Sequence, residues 1–401
     1  MPKVTTPDAE VVQFHLDVQQ RLRIRVREAI EIVLDEEMTA ILGTARYERS
    51  ESRRGYRNGT ETRTVTTGHG SQELRIPRGR LQQSDGSTTE FRSEVLPRYA
   101  RRTQEVDEAI LGVYLAGGNS RRIRKALAPL LGENNLSKSA ISRVVTRLKS
   151  LFAAWRIRDL SQENYPILFL DGFHLKVRLA RRVVSVPVLA ALGVAEDGTK
   201  VLVALELAVS ESSASWRQFV ESLSSRGLPT PRLLVTDGHA GLTKATEAWP
   251  DAEIQRCTWH KWRNLETHCP RHARPELKRD YDAIIRAKNG LAARKAYDQF
   301  LYKWSKLCPP VARSLEDAGE RLLTFYEYPR GLWKGLRTTN SLENLNREFR
   351  RRTKTQGSFS TEEAGVTLLY GLVAFGQITL RRITGYKHVA DLVRRQNEQA
   401  A

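Results

Sequence analysis

The chain has 401 residues and 40% hydrophobic content, which is enough to bury a sizeable core in two or three domains. Lys and Arg number 65 against 46 for Asp and Glu, and the net charge of +19 indicates a polyanionic partner, most commonly nucleic acid. The sequence has no run of about 18 apolar residues, no secretion signal and an odd number of cysteines, so composition favours a cytosolic protein over a membrane protein or a disulfide-bonded secreted one.

The first hundred residues predict two segments of different character. Apolar residues at helical spacing predict one long helix or two short ones in residues 1–45. Residues 46–100 contain basic runs, alternating Thr and Val, and the turn-forming pair Asn58-Gly59, a pattern that predicts a small basic β-meander. This meander is either a solvated region or a DNA contact.

Residues 101–160 return to helical periodicity and show the pattern of a helix-turn-helix. We expect Ser120 and Ser137 to cap two successive helices, because serine is a preferred N-cap. The second helix would enter the major groove of DNA, and the residues predicted on its outer face are Lys138, Ser139, Ser142, Arg143 and Arg147. The alternative is a helical hairpin with a basic exterior.

Strand patterns begin near residue 161. Three strands are predicted, followed by a helix, a short strand ending at Asp237, a second helix and a fifth strand. The first three strands are predicted at 166–178, 183–194 and 200–209, and the fifth is predicted at 252–257. This order predicts an RNase H-like core in residues 161–260, so the fold class is α+β or α/β.

The rest of the chain is predicted to be helical. Residues 261–335 are amphipathic and would form a helical insertion after the fifth strand. Residues 336–390 return to the core and end with a helix from Glu362 to Thr384. Residues 391–401 are expected to form a flexible tail.

Two aspartates stand out because turn formation does not account for them. Asp171 lies inside an apolar strand that continues beyond it. Asp237 ends a strand and precedes a helix, the position at which α/β sheets place functional groups. Both residues are therefore candidates for a site.

Glu343 is the third candidate carboxylate. It heads a helix with a basic second face and an apolar stripe formed by Leu342, Leu345 and Phe349. A structural role is the alternative, because Glu343 also fits a capping box with Asn340 and an i,i+4 ion pair with Arg347.

Carboxylates that converge in a folded protein repel one another, by about 4 kcal/mol per pair at roughly 4 Å and an effective dielectric near 20. Divalent cations remove that cost. Oxygen-only ligands suit Mg²⁺ or Mn²⁺, and two such ions stabilise the attacking and leaving oxygens of an in-line phosphoryl displacement. If Asp171, Asp237 and Glu343 converge, we expect them to hold two ions.

Four sequence motifs carry a family resemblance. They are Asp171-Gly-Phe-His-Leu-Lys-Val-Arg178, Thr236-Asp-Gly-His-Ala-Gly-Leu242, Cys257-Thr-Trp-His260, and Thr338-Thr-Asn-Ser-Leu-Glu343 with Arg350-Arg-Arg352. In this order they resemble the DDE transposases of Mutator-like bacterial insertion sequences. The similarity extends to Tyr56-Arg-Asn-Gly59 and Gly118-Asn-Ser-Arg-Arg-Ile123 in the N-terminal half.

The resemblance implies a function and its residues. Asp171, Asp237 and Glu343 would be the catalytic, metal-binding triad of an RNase H-like core, acting with two Mg²⁺ or Mn²⁺ ions. The implied reaction is strand cleavage and strand transfer at the terminal inverted repeats of an insertion sequence, with double-stranded repeat and target DNA as partners. The implied assembly is a homodimer, in the cytoplasm of a bacterium and associated with its nucleoid.

Two rival functions remain open at this point. A metal-dependent nuclease or resolvase of the same fold would use the same three carboxylates without joining DNA ends. A DNA-binding regulator derived from a transposase would keep the basic charge and lack Mg²⁺-dependent cleavage.

Further residues are expected around the site. Cys257 and His260 match a family motif near the metal site, and together with Cys269 and His272 they also resemble a zinc set. A third alternative is that Cys257 is a small buried apolar group and His260 is hydrogen-bonded beside the site. The expected phosphate contacts near the site are Lys176, Arg178, Arg263, Arg347, Arg350, Arg351 and Arg352.

Overall fold

The computed structural model describes residues 9–48, 50, 53–132, 135–179, 182–239, 241–242, 248–353 and 361–392. Its contacts divide the chain into an N-terminal unit, Met1–Arg147, and a C-terminal unit, Leu148–Ala401. The finer division into seven segments stays a prediction. Most of the expected tail, 393–401, lies outside the described residues.

The N-terminal unit begins with one long helix beside a small antiparallel sheet. Helix α1 (Ala9–Leu42) is continuous, so the single-helix alternative is confirmed. The sheet has the order β1-β2-β3 of a meander, and its strands are Gly55–Thr67, Gly70–Gln82 and Thr88–Glu90. The turn predicted at Asn58-Gly59 is wrong, because the pair lies within β1 at a shift of register. The apolar core of these elements consists of Leu34, Val65, Leu74, Ile76 and Leu96.

Three helices follow the sheet: α2 (Gln104–Leu115), α3 (Ser120–Leu131) and α4 (Lys138–Arg156). Ser137 caps α4 as predicted, since its Oγ accepts a hydrogen bond from the Ala140 N–H at 3.1 Å. The predicted cap Ser120 is wrong, because the Asn119 side chain accepts the Arg122 N–H at 3.0 Å instead. Asparagine and serine cap helices almost equally well, so the sequence alone does not decide between these neighbours.

A five-stranded mixed sheet forms the centre of the C-terminal unit. Strands β4 to β6 form the predicted antiparallel meander, while β7 and β8 run parallel to β4. The strands are β4 (Ile167–Leu179), β5 (Arg182–Val194), β6 (Lys200–Leu207), β7 (Leu233–Thr236) and β8 (Glu253–Arg256), in the order β6-β5-β4-β7-β8. Helix α5 (Ser213–Ser225) packs its buried side chains on this sheet, which gives the mixed α and β fold that the sequence predicted.

A run of helices separates β8 from the helix that carries Glu343. They are α6 (Thr258–His268), α7 (Arg274–Ile285), α8 (Gly290–Leu307), α9 (Pro309–Ala318) and the short α10 (Trp333–Leu336). Apolar side chains of α6 to α9 share one core that includes Leu265, Tyr281, Phe300 and Leu315. The helical character predicted for residues 261–335 is therefore confirmed, and this run is called the helical insertion.

The last two helices are α11 (Asn340–Thr353) and α12 (Glu362–Ala374). The predicted extension of the final helix to Thr384 is wrong. Helix α12 ends because Gly376 takes a left-handed conformation with φ of 68°, which glycine adopts without strain. In the described part of the chain, no helix is both long and apolar enough to cross a membrane.

Replacing Phe219 tests the packing of α5 on the sheet. The side chain is 1% exposed and meets Trp216 edge-on, with 5.8 Å between ring centroids. We expect Phe219→Ala to lower the free energy of unfolding by about 3–5 kcal/mol, measured by urea denaturation and circular dichroism. The control Leu291→Ala, at a side chain that is 82% exposed, should change it by less than about 0.5 kcal/mol. Equal effects of the two substitutions would contradict this packing.

Candidate active site

Two aspartates lie side by side where a parallel strand pair ends. The last paired residues of β4 and β7 are Leu170 and Thr236, and Asp171 and Asp237 follow them. Strand β7 stops there, whereas β4 continues to Leu179, so Asp171 lies within its strand as predicted. The pairing places both carboxylates at the edge where α/β sheets bind ligands.

Helix α11 packs on the face of β4 to which Asp171 points. Phe349 of α11 contacts Phe173 of β4, with 5.9 Å between ring centroids. Phe173 shares a face with Asp171, because side chains alternate along a strand. The apolar stripe predicted for this helix is confirmed by the burial of Leu342, Leu345 and Phe349.

Thr339, rather than Asn340, caps the helix that carries Glu343. The helix starts at Asn340, and the Glu343 N–H donates to the Thr339 backbone oxygen at 3.0 Å. Among the described residues, no ion pair joins Glu343 to Arg347, and Glu343 Oε1 instead lies 3.5 Å from Nε2 of His260. The capping box with Asn340 and the ion pair with Arg347 are therefore not formed within the described residues.

The Asp171 carboxyl lies in an electrostatically unfavourable place. It is 6% exposed. Burial, followed by the negative charges of Asp237, Glu343 and Glu211, raises its pKa to about 8, and the positive charge of His260 opposes this effect. The charges of Asp237 and Glu343 thus act on Asp171. The ligand oxygens of these three described residues do not, however, all lie within 4.8 Å of one another.

Glu211 is an acidic neighbour that the sequence did not reveal. It follows β6 in a loop, and its Oε1 lies 3.5 Å from Nδ1 of His174. A Cβ at Gly172 would lie 2.9 Å from the same oxygen, so the absence of a side chain there makes room for the carboxylate. Glu211 belongs to no motif or periodic pattern, and only the folded chain brings it near Asp171.

Cys257 joins three segments of the site. Its backbone N–H donates to Thr236 O at 2.7 Å, at the end of the strand that leads to Asp237. Its buried Sγ accepts hydrogen bonds from the N–H and the hydroxyl of Thr339, at 3.4 and 3.5 Å. The expected position of Cys257 beside the site thus agrees with the structure.

His260 lies between Cys257 and Glu343. Its Nδ1 is 3.4 Å from the Thr339 hydroxyl, while its Nε2 faces Glu343. A hydrogen bond with the Cys257 side chain raises the pKa of His260 to about 9, and the charges of Cys257, Asp171 and Asp237 add to this effect against burial. His260 therefore places a positive charge next to the Glu343 carboxylate.

The turn after Asp237 rests on Arg256. Gly238 has φ of 80°, and a Cβ at this position would collide with Arg256 Nε, so glycine is required twice over. Arg256 Nη1 donates to the Asp317 carboxylate at 2.7 Å and to the Asp317 backbone oxygen at 3.1 Å. Because Asp317 belongs to α9, the helical insertion supports this turn.

The four residues considered as a zinc set do not come together. Cys257 and Cys269 flank opposite ends of α6, whose 11 residues span about 16 Å. His272 is exposed on a short 3-10 helix. Among the described residues, the ligand atoms that lie within 4.8 Å of one another are those of Cys257, His260 and Glu343.

Most of the side chains predicted to contact DNA are exposed. On α4 these are Lys138, Ser139, Ser142, Arg143 and Arg147, and near the site they are Lys176, Arg263, Arg347, Arg350 and Arg351. Arg352 is half-buried and donates to Gln377 O at 3.1 Å. Arg178 lies in β4, but its side chain is outside the described residues. DNA contacts of all these residues stay a prediction.

The three carboxylates have the donor chemistry of a divalent-cation site. Asp171, Asp237 and Glu343 offer only hard oxygen donors, which Mg²⁺ and Mn²⁺ prefer. Glu343 Oε1 is buried and accepts no hydrogen bond within the described part of the chain, since its contact with His260 lacks hydrogen-bond geometry. A cation would stabilise both this acceptor and the repelled carboxyl of Asp171.

Comparison with known proteins defines the class. Residues 5–376 match the family model described as Transposase, Mutator family. The transposase for insertion sequence element IS406 of Burkholderia multivorans (strain ATCC 17616 / 249) is 36% identical over 358 residues, covering 88% of this chain and 89% of the relative. The protein is thus a transposase, a DNA-cleaving and strand-transferring enzyme. The chain belongs to the Mutator family of transposases, as its motifs suggested.

Two further comparisons differ in how similar the matched chain is to this one. The transposase for insertion sequence element IS905 of Lactococcus lactis subsp. lactis (strain IL1403) is 32% identical over 367 residues, or 91% of each chain. A chain from the cryoEM structure of a simian T-cell lymphotropic virus intasome in complex with PP2A regulatory subunit B56 gamma is 12% identical, with a TM-score of 0.18 over 52% of this chain and 66% of that chain. A likeness this low carries no argument about the fold.

The burial of Asp171 predicts a pH-dependent stability without divalent cations. Its folded pKa of about 8 lies above the ordinary value of 3.8, so its ionisation removes stability as the pH rises through this interval. We expect Asp171→Asn to raise the melting temperature by at least ~2 °C more at about pH 9 than at about pH 4, measured in EDTA. Asp251→Asn, at an exposed carboxylate, is the control. A shift that does not depend on pH would contradict the burial of an ionisable Asp171.

Proposed function

We propose that this transposase cleaves and joins DNA at the terminal inverted repeats of its own insertion sequence, through a DDE site formed by Asp171, Asp237 and Glu343. One observation carries the proposal: the register of β4 on β7 sets the two aspartates side by side, and the charges of Asp237 and Glu343 act on Asp171. The family shared with transposases for insertion sequences supports it.

The sheet order supports an RNase H-like core. Three antiparallel strands lie next to two parallel ones, and the first strand of the meander, β4, is central. In this arrangement Asp171 lies on the central strand and Asp237 at the end of its neighbour. Glu343 comes from a helix after the helical insertion, on the face of β4 that Phe349 covers.

The same three carboxylates would hold two Mg²⁺ or Mn²⁺ ions. Bound there, the ions would lower the pKa of an attacking water or 3′-hydroxyl and stabilise the charge that develops on the transferred phosphate. The protein's own contribution is to fix the ligands. The strand pairing fixes Asp171 and Asp237, while the packing of α11 and the cap at Thr339 fix Glu343.

His260 would position Glu343 within this site. Its Nε2 lies against the Glu343 carboxylate, and Thr339 and Cys257 orient the ring from the other side. Residues that orient a metal-binding carboxylate in this way are outer partners of a metal site. This assigns a role to the Cys257 and His260 motif without a zinc ion.

DNA binding would involve the basic faces of both units. The exposed side chains of α4 suit a helix that enters the major groove, and the exposed arginines of α11 suit the phosphates near the active site. Synapsis of two repeat ends would require two copies of the chain, so a homodimer on DNA, associated with the bacterial nucleoid, completes the proposal.

Substitution of the three carboxylates tests the function. We expect Asp171→Asn, Asp237→Asn and Glu343→Gln each to reduce Mg²⁺-dependent cleavage and strand transfer by at least ~100-fold while duplex binding is kept. The substrate is the DNA that flanks the reading frame, and nicks and joined products are mapped on gels. Asp251→Asn is the control.

The same assay separates the rival functions. Cleavage without joining would indicate a nuclease, and sequence-specific binding without cleavage would indicate a regulator. Full activity of any one of the three carboxylate variants would refute the triad.

Substitution of His260 tests its positioning role. We expect His260→Ala to weaken Mn²⁺ binding and slow cleavage about 10–100-fold, with duplex affinity unchanged, because an outer partner of the site is lost. Mn²⁺ affinity is measured by calorimetry in the absence of DNA. His260→Gln keeps a donor beside Glu343 and should recover part of the affinity, and His268→Ala at the far end of α6 should behave as wild type. Unchanged Mn²⁺ affinity in His260→Ala would refute the role.

A further inference from the structure

The sheet of the N-terminal unit carries a pocket lined by five arginines. Arg78 and Arg80 occupy alternate positions of β2 and so share one exposed face. The segment after β3 folds beside this face, since the Phe91 N–H donates to Gly79 O at 2.8 Å. We call it the arginine pocket. Its arginines are Arg63, Arg78, Arg80, Arg92 and Arg98.

Two of these arginines are neutralised within the pocket. Arg63 pairs with Glu61 at 2.7 Å and donates to Pro97 O at 3.0 Å, which leaves its side chain 18% exposed. Arg98 pairs with Glu90 at 2.7 Å. Glu61 and Glu90 are the two carboxylates that line the pocket, and each forms an ion pair with one of these two arginines.

The other three arginines have no such neutralisation. Arg78, Arg80 and Arg92 are exposed, and within the described residues no carboxylate lies within 4.0 Å of their guanidinium groups. Arg80 faces Glu90 across the strand pair, but the Glu90 carboxylate is taken by Arg98. The pocket therefore holds three guanidinium groups that no carboxylate of the described residues pairs with.

The backbone around the pocket departs from a regular ladder. The register of β1 on β2 shifts between Arg57 and Thr60, so that Asn58 and Gly59 together lie opposite Arg78. A bulge of this kind bends a strand and changes the direction of the side chains around it. Asn58, which lines the pocket, adds a neutral hydrogen-bonding group to the arginines.

We infer that the arginine pocket binds the sugar-phosphate backbone of double-stranded DNA. Guanidinium groups donate bidentate hydrogen bonds to phosphate oxygens, and a phosphate offsets the repulsion among Arg78, Arg80 and Arg92. Contacts to the backbone fix the register of a protein on DNA without reading the bases. The pocket would thus be a sequence-independent anchor, separate from the face of α4 that is proposed to read the major groove.

The salt dependence of binding by the full-length protein tests this inference, which rests on the proposed function. The probes are a terminal-repeat duplex and an unrelated duplex, followed by fluorescence anisotropy. Each phosphate contact contributes about 0.9 to the slope of log K against log salt. The triple substitution Arg78→Gln, Arg80→Gln and Arg92→Gln should therefore lower the slope by up to about 2.7, equally for both duplexes.

A control of equal charge change is available in the same unit. Arg21, Arg25 and Arg27 are exposed on α1, and their replacement by Gln should lower the slope by less than about 0.9. Lysine at the three pocket positions should keep most of the slope but weaken binding, because lysine cannot bind phosphate bidentately. Circular dichroism confirms that each variant is folded.

The outcomes distinguish the inference from the proposed function. The arginine pocket is not a backbone anchor if its triple substitution and the control triple substitution change the slope equally. The same holds if the pocket substitution affects only the terminal-repeat duplex, and in both cases the proposed function stands. If the wild-type protein binds neither duplex, the proposed function fails and the inference fails with it.

Discussion

The parallel pairing of β4 with β7 is the constraint on which the site depends. Because the two strands have different lengths, the shorter one ends where the longer one carries Asp171, and Asp237 falls beside it. A slip of one residue would turn Asp171 to the other face of the sheet, away from α11. The buried apolar side chains of the strands prevent such a slip, so the energy that builds the core also sets the position of the carboxylates.

Cys257 extends this constraint to the third carboxylate. It bonds through its backbone to the strand before Asp237 and through its sulfur to the residue that caps the Glu343 helix. Two elements far apart in the chain are thus held together by one small buried residue. His260, one turn further along α6, lies 3.5 Å from the Glu343 carboxylate and so also links this helix to Glu343.

The sequence predicted those parts of the protein in which a local pattern and the tertiary structure agree. Asp171 and Asp237 were recognisable because a charged residue within or directly after an apolar strand has no structural explanation there. The end of α12 and the cap at Asn119 were missed because a glycine and a choice between neighbouring polar residues depend on local geometry. Glu211 could not be found, since nothing in its loop distinguishes it from a solvated glutamate until β4 passes beside it.

The helical insertion contributes to the structure of the site through Arg256. Its position in the chain does not indicate this role. An insertion that only added surface could be shortened without an effect on the site. Here Asp317 of the insertion is the counter-ion of the guanidinium beneath Gly238. Removing α9 would leave the Arg256 guanidinium without its counter-ion beside the turn after Asp237, so the insertion contributes to the structure that holds this carboxylate.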